Sequence, residues 1–183
     1  MTGFTEMTVD SIRVHMPTGN HVVILRERSA ERYLPIWIGN NEANAIALRI
    51  TGITPDRPIT HDLLCNVLAS VDISVDRIVV SALSNDVFFA RIVAKAGGRD
   101  LDIDARPSDA IAVAVRVGAA IYVADDVLEK AAVLPDAEGS DEGSGDGDEE
   151  GAPDESRLAI FRDMVNQMEL PDLGGEAGGR SDS

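Results

Sequence analysis

The chain carries one cysteine, three histidines and no surplus of basic residues, and each scarcity closes a class of function. A lone Cys65 excludes an intramolecular disulfide framework and a multi-cysteine zinc site. It suits a reducing compartment, and its apolar, helical surroundings read as a small buried hydrophobe rather than a nucleophile. His15, His21 and His61 are scattered, with no HxH or HExxH spacing. Sixteen Lys/Arg stand against 32 Asp/Glu, so no basic stripe or tail exists to neutralise phosphates along a nucleic acid. That argues against a nucleic-acid-coating protein. It leaves room for an enzyme that touches nucleic acid through a small site or a bound metal. No apolar run reaches the roughly 18–20 residues that span a bilayer. The first residues show no basic segment followed by an apolar one, so a soluble, cytoplasmic chain without membrane contact is expected. Neither GxGxxG after a strand, nor GxxxxGK[ST], nor GxSxG occurs, which leaves dinucleotide-binding, P-loop and α/β-hydrolase readings without support.

What is present divides unevenly. Residues 1–135 hold 13 basic and 17 acidic residues, net −4, while residues 136–183 hold 3 and 15, net −12. The first stretch reads as the folded domain. Residues 136–155 read as an acidic disordered linker, because GSDEGSGDGDEEGAPDE offers almost nothing to bury. In 156–183 a Ser156 cap followed by Leu158, Phe161, Val165 and Met168 predicts a short amphipathic helix, then a frayed end. This acidic tail could dock on the core or on a partner.

Within the domain, β-branched and aromatic runs predict strands at 7–15, 22–28, 33–38, 75–83, 87–96, 101–105 and 121–123. Helices are predicted at 41–50, 60–71, 108–117 and 125–132, with Asn41, Thr60 and Ser108 as caps and Gly118 as the stop. The order repeats. At an offset of 67, Leu34, Ile36, Ala43, Ala45, Ala47 and Arg49 recur as Leu101, Ile103, Ala110, Ala112, Ala114 and Arg116. At an offset of 66, Val9 to Val14 matches Val75 to Val80, and both copies slip phase between Val9 and Ile12 and between Val75 and Ile78. A bulge in each first strand accounts for the slip. The expected fold is α/β (α+β), duplicated β-β-β-α units with mixed or antiparallel sheets and helices packed on them. The 108–117 helix, apolar nearly all round, should be central.

Polar residues worth weighing gather at helix starts. Arg57-Pro58-Ile59-Thr60-His61-Asp62 and Arg106-Pro107-Ser108-Asp109 each run Arg, Pro, hydroxyl, Asp. As structure, the hydroxyls cap and the aspartates complement the helix dipole. As function, Arg57, Thr60, Arg106 and Ser108 could hold a phosphate at the helix starts. A third feature is Asp100-Leu101-Asp102-Ile103-Asp104. Its three carboxylates share one strand face, where they are either solvated or bridged by Mg²⁺ or Mn²⁺. Glu42 and Asp109 occupy equivalent places in the two halves.

These phrases together resemble the bifunctional nuclease domain family. The matching stretches are Tyr33-Leu34-Pro35-Ile36-Trp37-Ile38-Gly39 with Glu42-Ala43 and Ala45-Ile46-Ala47, then Arg57 to Leu64, and Phe89-Ala90-Arg91-Ile92. The last are Ala105 to Ala112 and Ile121-Tyr122-Val123. The resemblance implies hydrolysis of phosphodiester bonds in DNA and RNA, a DNase and RNase activity reported for plant members. Combined with the chemistry, it nominates Asp109, His61, Asp62 and Glu42 as catalytic residues, and Arg57, Arg106, Ser108 and Thr60 as substrate-binding ones. The chemistry of clustered carboxylates, rather than the resemblance, nominates Asp109, with Asp102 and Asp104, as ligands of a divalent metal, Mg or Mn. The acidic triplet lies outside the family pattern. The alternative is a non-catalytic binding or regulatory module acting through protein partners, favoured by a net −4 core that would repel substrate. A core of this size with uncovered sheet faces also predicts a homo-oligomer, foremost a two-fold dimer.

Overall fold

The structure is a computed structural model that describes residues 3–16 and 18–134. The acidic linker and the helix expected beyond it lie outside the described residues. Seven strands form one continuous sheet: β1 (Phe4–His15), β2 (Asn20–Glu27), β3 (Tyr33–Ile38), β4 (Ile73–Ser84), β5 (Val87–Ala96), β6 (Arg99–Ala105) and β7 (Ala120–Ala124). Four helices complete it: α1 (Asn40–Ile50), α2 (Thr60–Ser70), α3 (Pro107–Val117) and α4 (Asp125–Ala131). The sheet order is β3-β2-β1-β7-β4-β5-β6. Two antiparallel three-stranded units thus flank β7, which pairs antiparallel with β1 and parallel with β4. The fold is mixed α/β, with β-β-β-α recurring in each half and the halves fused into one sheet.

Both expected bulges are present. The β1–β2 register shifts between Val9 and Ser11, and the β4–β5 register shifts between Val75 and Arg77. An extra residue at Asp10 and at Asp76 bends each first strand and lets Ile12 and Ile78 keep facing the core. The core lies between the helices and one sheet face. Met7, Val23, Leu25, Leu34, Ile78, Val80 and Ile92 pack there against α3, whose Ala110 to Ala114 are wholly buried. Small alanines on α3 bring its axis close to the sheet, as the all-round apolar sequence implies.

The capping expectation needs correction. The N-caps are Gly39, Ile59 and Arg106, all extended and none making a side-chain capping bond to its own helix backbone. Asn41, Thr60 and Ser108 already lie inside their helices. In α3 the reason is Pro107, whose fixed φ suits the first helical position and pulls the start one residue earlier. In α2 the Ile59 amide donates instead to the Asp62 carboxylate, at 3.0 Å. Gly118 ends α3 as expected, in the left-handed region at φ 72°.

Candidate functional site at three helix starts

The duplication brings the starts of α1 and α3 together, and α2 lies across α3. Glu42 stands at the third position of α1 and Asp109 at the third position of α3, the same place in each half. Arg106, the N-cap of α3, reaches both. Its Nε donates to Asp109 Oδ2 at 2.7 Å and its Nη2 to Glu42 Oε1 at 2.6 Å. The equivalent cap in the first half is Gly39. A Cβ there would collide with Glu42 Oε2, so glycine leaves the carboxylate where Arg106 can reach it. His61, from the first turn of α2, donates through Nε2 to Asp109 Oδ1 at 3.1 Å. One carboxylate thus holds an imidazole on one oxygen and a guanidinium on the other.

A second set of contacts fixes α2 and α1 on α3. Arg116 Nε donates to Asp62 Oδ1 at 2.7 Å, Nη1 to Ala112 O at 2.9 Å, and Nη2 to Ala45 O at 3.1 Å. Its repeat partner Arg49 donates to Val115 O and Arg116 O, at 3.2 and 3.1 Å, near the end of α3. Asp109, Ala112 and Arg116 recur at i, i+3 and i+7 and share one stripe of α3, which is the stripe α2 meets.

The charges are tuned by these contacts. Burial pushes the Asp109 carboxyl up, but the hydrogen bonds from Arg106 and His61 outweigh it and leave its pKa below the ordinary 3.8. Burial likewise opposes, and Arg116 with the Ile59 amide overcomes, so Asp62 is also held below 3.8. The bonds to Asp109 and then Glu42 hold the Arg106 proton more firmly still. Burial pushes the Cys65 thiol up and keeps it a thiol, and the side chain is half-buried in α2 rather than fully inside.

Of the residues singled out in sequence, Glu42, His61, Asp62, Arg106 and Asp109 converge here, and Ser108 is buried beside them in the first turn of α3. Arg57 and Thr60 are exposed and make no ion pair or side-chain hydrogen bond among the described residues. The acidic triplet is elsewhere. Ile92 pairs with Ile103 in register, and Ile92 faces the core, so Asp102 and Asp104 point to the opposite face of the sheet. There Asp104 stands opposite Arg91, Asp100 opposite Lys95, and Asp102 bonds Arg91 at 2.8 Å. Cross-strand cations answer the like charges. The expected ligand set Asp109, Asp102 and Asp104 is therefore not assembled. Among the described residues no group of three or more His, Cys, Asp or Glu is arranged to hold a metal ion. The carboxylates that do converge are each occupied by Arg106, a donor set that does not fit a divalent cation. Arg116, Arg49 and Gly39 were not singled out. Their signal lay in the repeat itself, since Arg49 and Arg116 are identical at the offset of 67 and Gly39 aligns with Arg106.

The fold and the paired helix starts define a duplicated β-β-β-α domain with a polar cluster between its halves. Residues 23–136 match the bifunctional nuclease domain, and the chain belongs to that family. Two curated relatives are uncharacterized proteins of Mycobacterium tuberculosis, one from strain ATCC 25618 / H37Rv and one from strain CDC 1551 / Oshkosh. Each is 42% identical over 137 residues, covering 75% of this chain and 82% of the relative.

Proposed function

We propose that the chain hydrolyses phosphodiester bonds in DNA or RNA, with the His61–Asp109 pair handling the proton and Arg106 contacting the phosphate. The observation that carries this reading is Asp109, bonded on one oxygen to His61 and on the other to Arg106. A carboxylate that accepts from Nε2–H fixes the imidazole tautomer and leaves Nδ1 as the proton acceptor. His61 Nδ1 takes a proton from attacking water, the bond from phosphorus to the leaving sugar oxygen breaks, and the proton passes to that oxygen. Arg106 uses two of its five N–H groups on carboxylates, which leaves three for phosphate oxygens. Glu42 holds Arg106 in place, and Asp62 places α2, hence His61, through Arg116. Membership of the bifunctional nuclease domain family supports the same reading.

Cleavage of end-labelled RNA and DNA oligonucleotides by the purified full chain in a chelator tests it. Cleavage should persist, because this proton path runs through His61. Absence of cleavage in chelator and in added Mg²⁺ or Mn²⁺ alike contradicts it. One observation favours a second reading. Every charge in the cluster already has a partner, as a clasp joining three helices would require. Binding of nucleic acid or a protein without any cleavage selects that module. We also propose a homo-oligomer, supported by the uncovered apolar face of α2, and a cytoplasmic location. Among the described residues no helix is long and apolar enough to cross a membrane.

A further inference from the structure

All four helices pack on one face of the sheet, where Ile46, Cys65, Ala110 and Val127 join the same core. Ile78, Ile92 and Ile121 face that core, so their strand neighbours Arg77, Val79, Arg91, Val93 and Tyr122 point to the opposite face. No helix among the described residues covers that open face. A hollow of about 440 Å³ lies on it, lined by apolar Phe4, Val79, Val93 and Tyr122 and by Arg77 and Arg91. Phe4 is 57% exposed. The described chain ends on the same face. Ala131 still packs in the helix-side core, but Val133 joins a second cluster with Tyr33, Val22 and Ile24, which alternate along β2 with the core residues Val23 and Leu25. The Val133 backbone exchanges hydrogen bonds of 2.9 and 2.8 Å with Tyr33 at the β3 edge, and Leu134 beyond it is exposed.

We infer that residues 158–168 of this same chain dock on the open face, with Leu158, Phe161, Val165 and Met168 seated over Phe4, Val79, Val93 and Tyr122. Those four tail residues share one stripe at helical spacing, an apolar row that needs a cover of its own. Reach agrees with the seat. Counting from Val133 through β3, β2 and β1, β7 lies four strand spacings away, about 19 Å. The Gly-rich residues 136–155 between them have a root-mean-square span of about 25 Å. A tether whose span matches the gap holds its segment at an effective concentration of order mM, far above that of a second copy in solution. Charge agrees as well. Residues 136–155 hold ten acidic residues and no basic one. The way to β7 crosses Arg26 and Arg13, which share the open face with their register partners Tyr33 and Val22. Arg13 donates to Ser11 and makes no ion pair among the described residues, and Arg26 stands 3.8 Å from its carboxylate partner Asp10. Glu6 on this face is already bonded by Arg28.

The experiment places the photo-crosslinker benzoylphenylalanine at Tyr122 of the full chain and maps the products by mass spectrometry after trypsin. Equal parts of ordinary and heavy-isotope chain separate crosslinks within one chain from those between chains. The seat predicts intrachain crosslinks to the tryptic peptides 158–162 or 163–180. It predicts their loss in Phe161→Asp with Val165→Asp, two substitutions outside the described fold. In the chain without crosslinker, tryptic cleavage after Arg157 should be slower than in that double variant by about tenfold or more, the factor that burial of one large apolar side chain supplies. Crosslinks only between chains assign the face to a second copy and overturn the proposal. Absence of any tail peptide, a yield unchanged by the double variant, or equal cleavage rates overturns it too.

Discussion

Asp62 and Asp109 show how a single carboxylate can organise three helices. Each is held below its ordinary 3.8 by a guanidinium, against the opposing push of burial. A carboxyl with a depressed folded value stabilises the fold above its unfolded value, and that stabilisation is lost as pH falls through the folded one. The protein should therefore lose stability as pH drops below about 4, while pH changes above that interval leave these two terms intact. Asp62→Asn removes one term and leaves Arg116, nearly buried, without its counter-ion. Circular-dichroism melts across the acid range should show a lower melting temperature for Asp62→Asn at neutral pH and a shallower acid loss than the parent. Parallel acid curves for the two proteins would show that Asp62 does not couple folding to protonation. At this scale the sequence was legible in part. Residue type and helix-start position singled out Asp62, His61, Arg106 and Asp109. The pairings that join different helices span 48 to 64 residues, as His61 with Asp109 and Arg106 with Glu42 show, and no local pattern encodes them.

Among the elements, α2 stands apart because none of its side chains is fully buried. Leu63, Val67 and Val71 are 57%, 49% and 57% exposed, and Ile53 and Val117 are exposed too. Leu63, Val67 and Val71 stand four residues apart, so the exposed apolar row runs along one face of α2 to its C-cap. Such a row in water is a surface that a second copy can cover. The full chain should therefore run as a homo-oligomer in light scattering at high concentration. Leu63→Glu with Val67→Glu should shift the mass to that of one chain. A single-chain mass for the parent protein would contradict this. The element pattern itself was readable from apolar periodicity, down to the two bulges, because a phase slip in a half-buried strand leaves a mark on the sequence. The helix caps were not. Asn41, Thr60 and Ser108 have capping side chains, but Pro107 and the Ile59 amide bond to Asp62 moved two of the starts past them.

For the whole molecule, the two halves share order, the early bulge in each first strand and helix position, yet differ in a second β4–β5 register shift between Val80 and Ala82 and where it counts for the site. Arg106 in the second half faces Gly39 in the first, so one guanidinium serves the carboxylates of both halves. The sequence repeat foretold the equivalence of Glu42 and Asp109. It could not foretell that β7 joins the halves into one sheet, because a five-residue strand pairs by tertiary contacts rather than by its own pattern. The same sheet separates Asp102 and Asp104 from Asp109, which sequence spacing alone left open. Asp109, shared by His61 and Arg106, is the proposed working centre of the domain. The initial rate of phosphodiester cleavage by full-length Asp109→Asn and His61→Ala, each with a parental circular-dichroism spectrum, tests this role directly. Both rates should fall by about 10²-fold or more, the range expected when a general base or its orienting group is lost. Parental rates in both folded variants would place the chemistry outside this cluster.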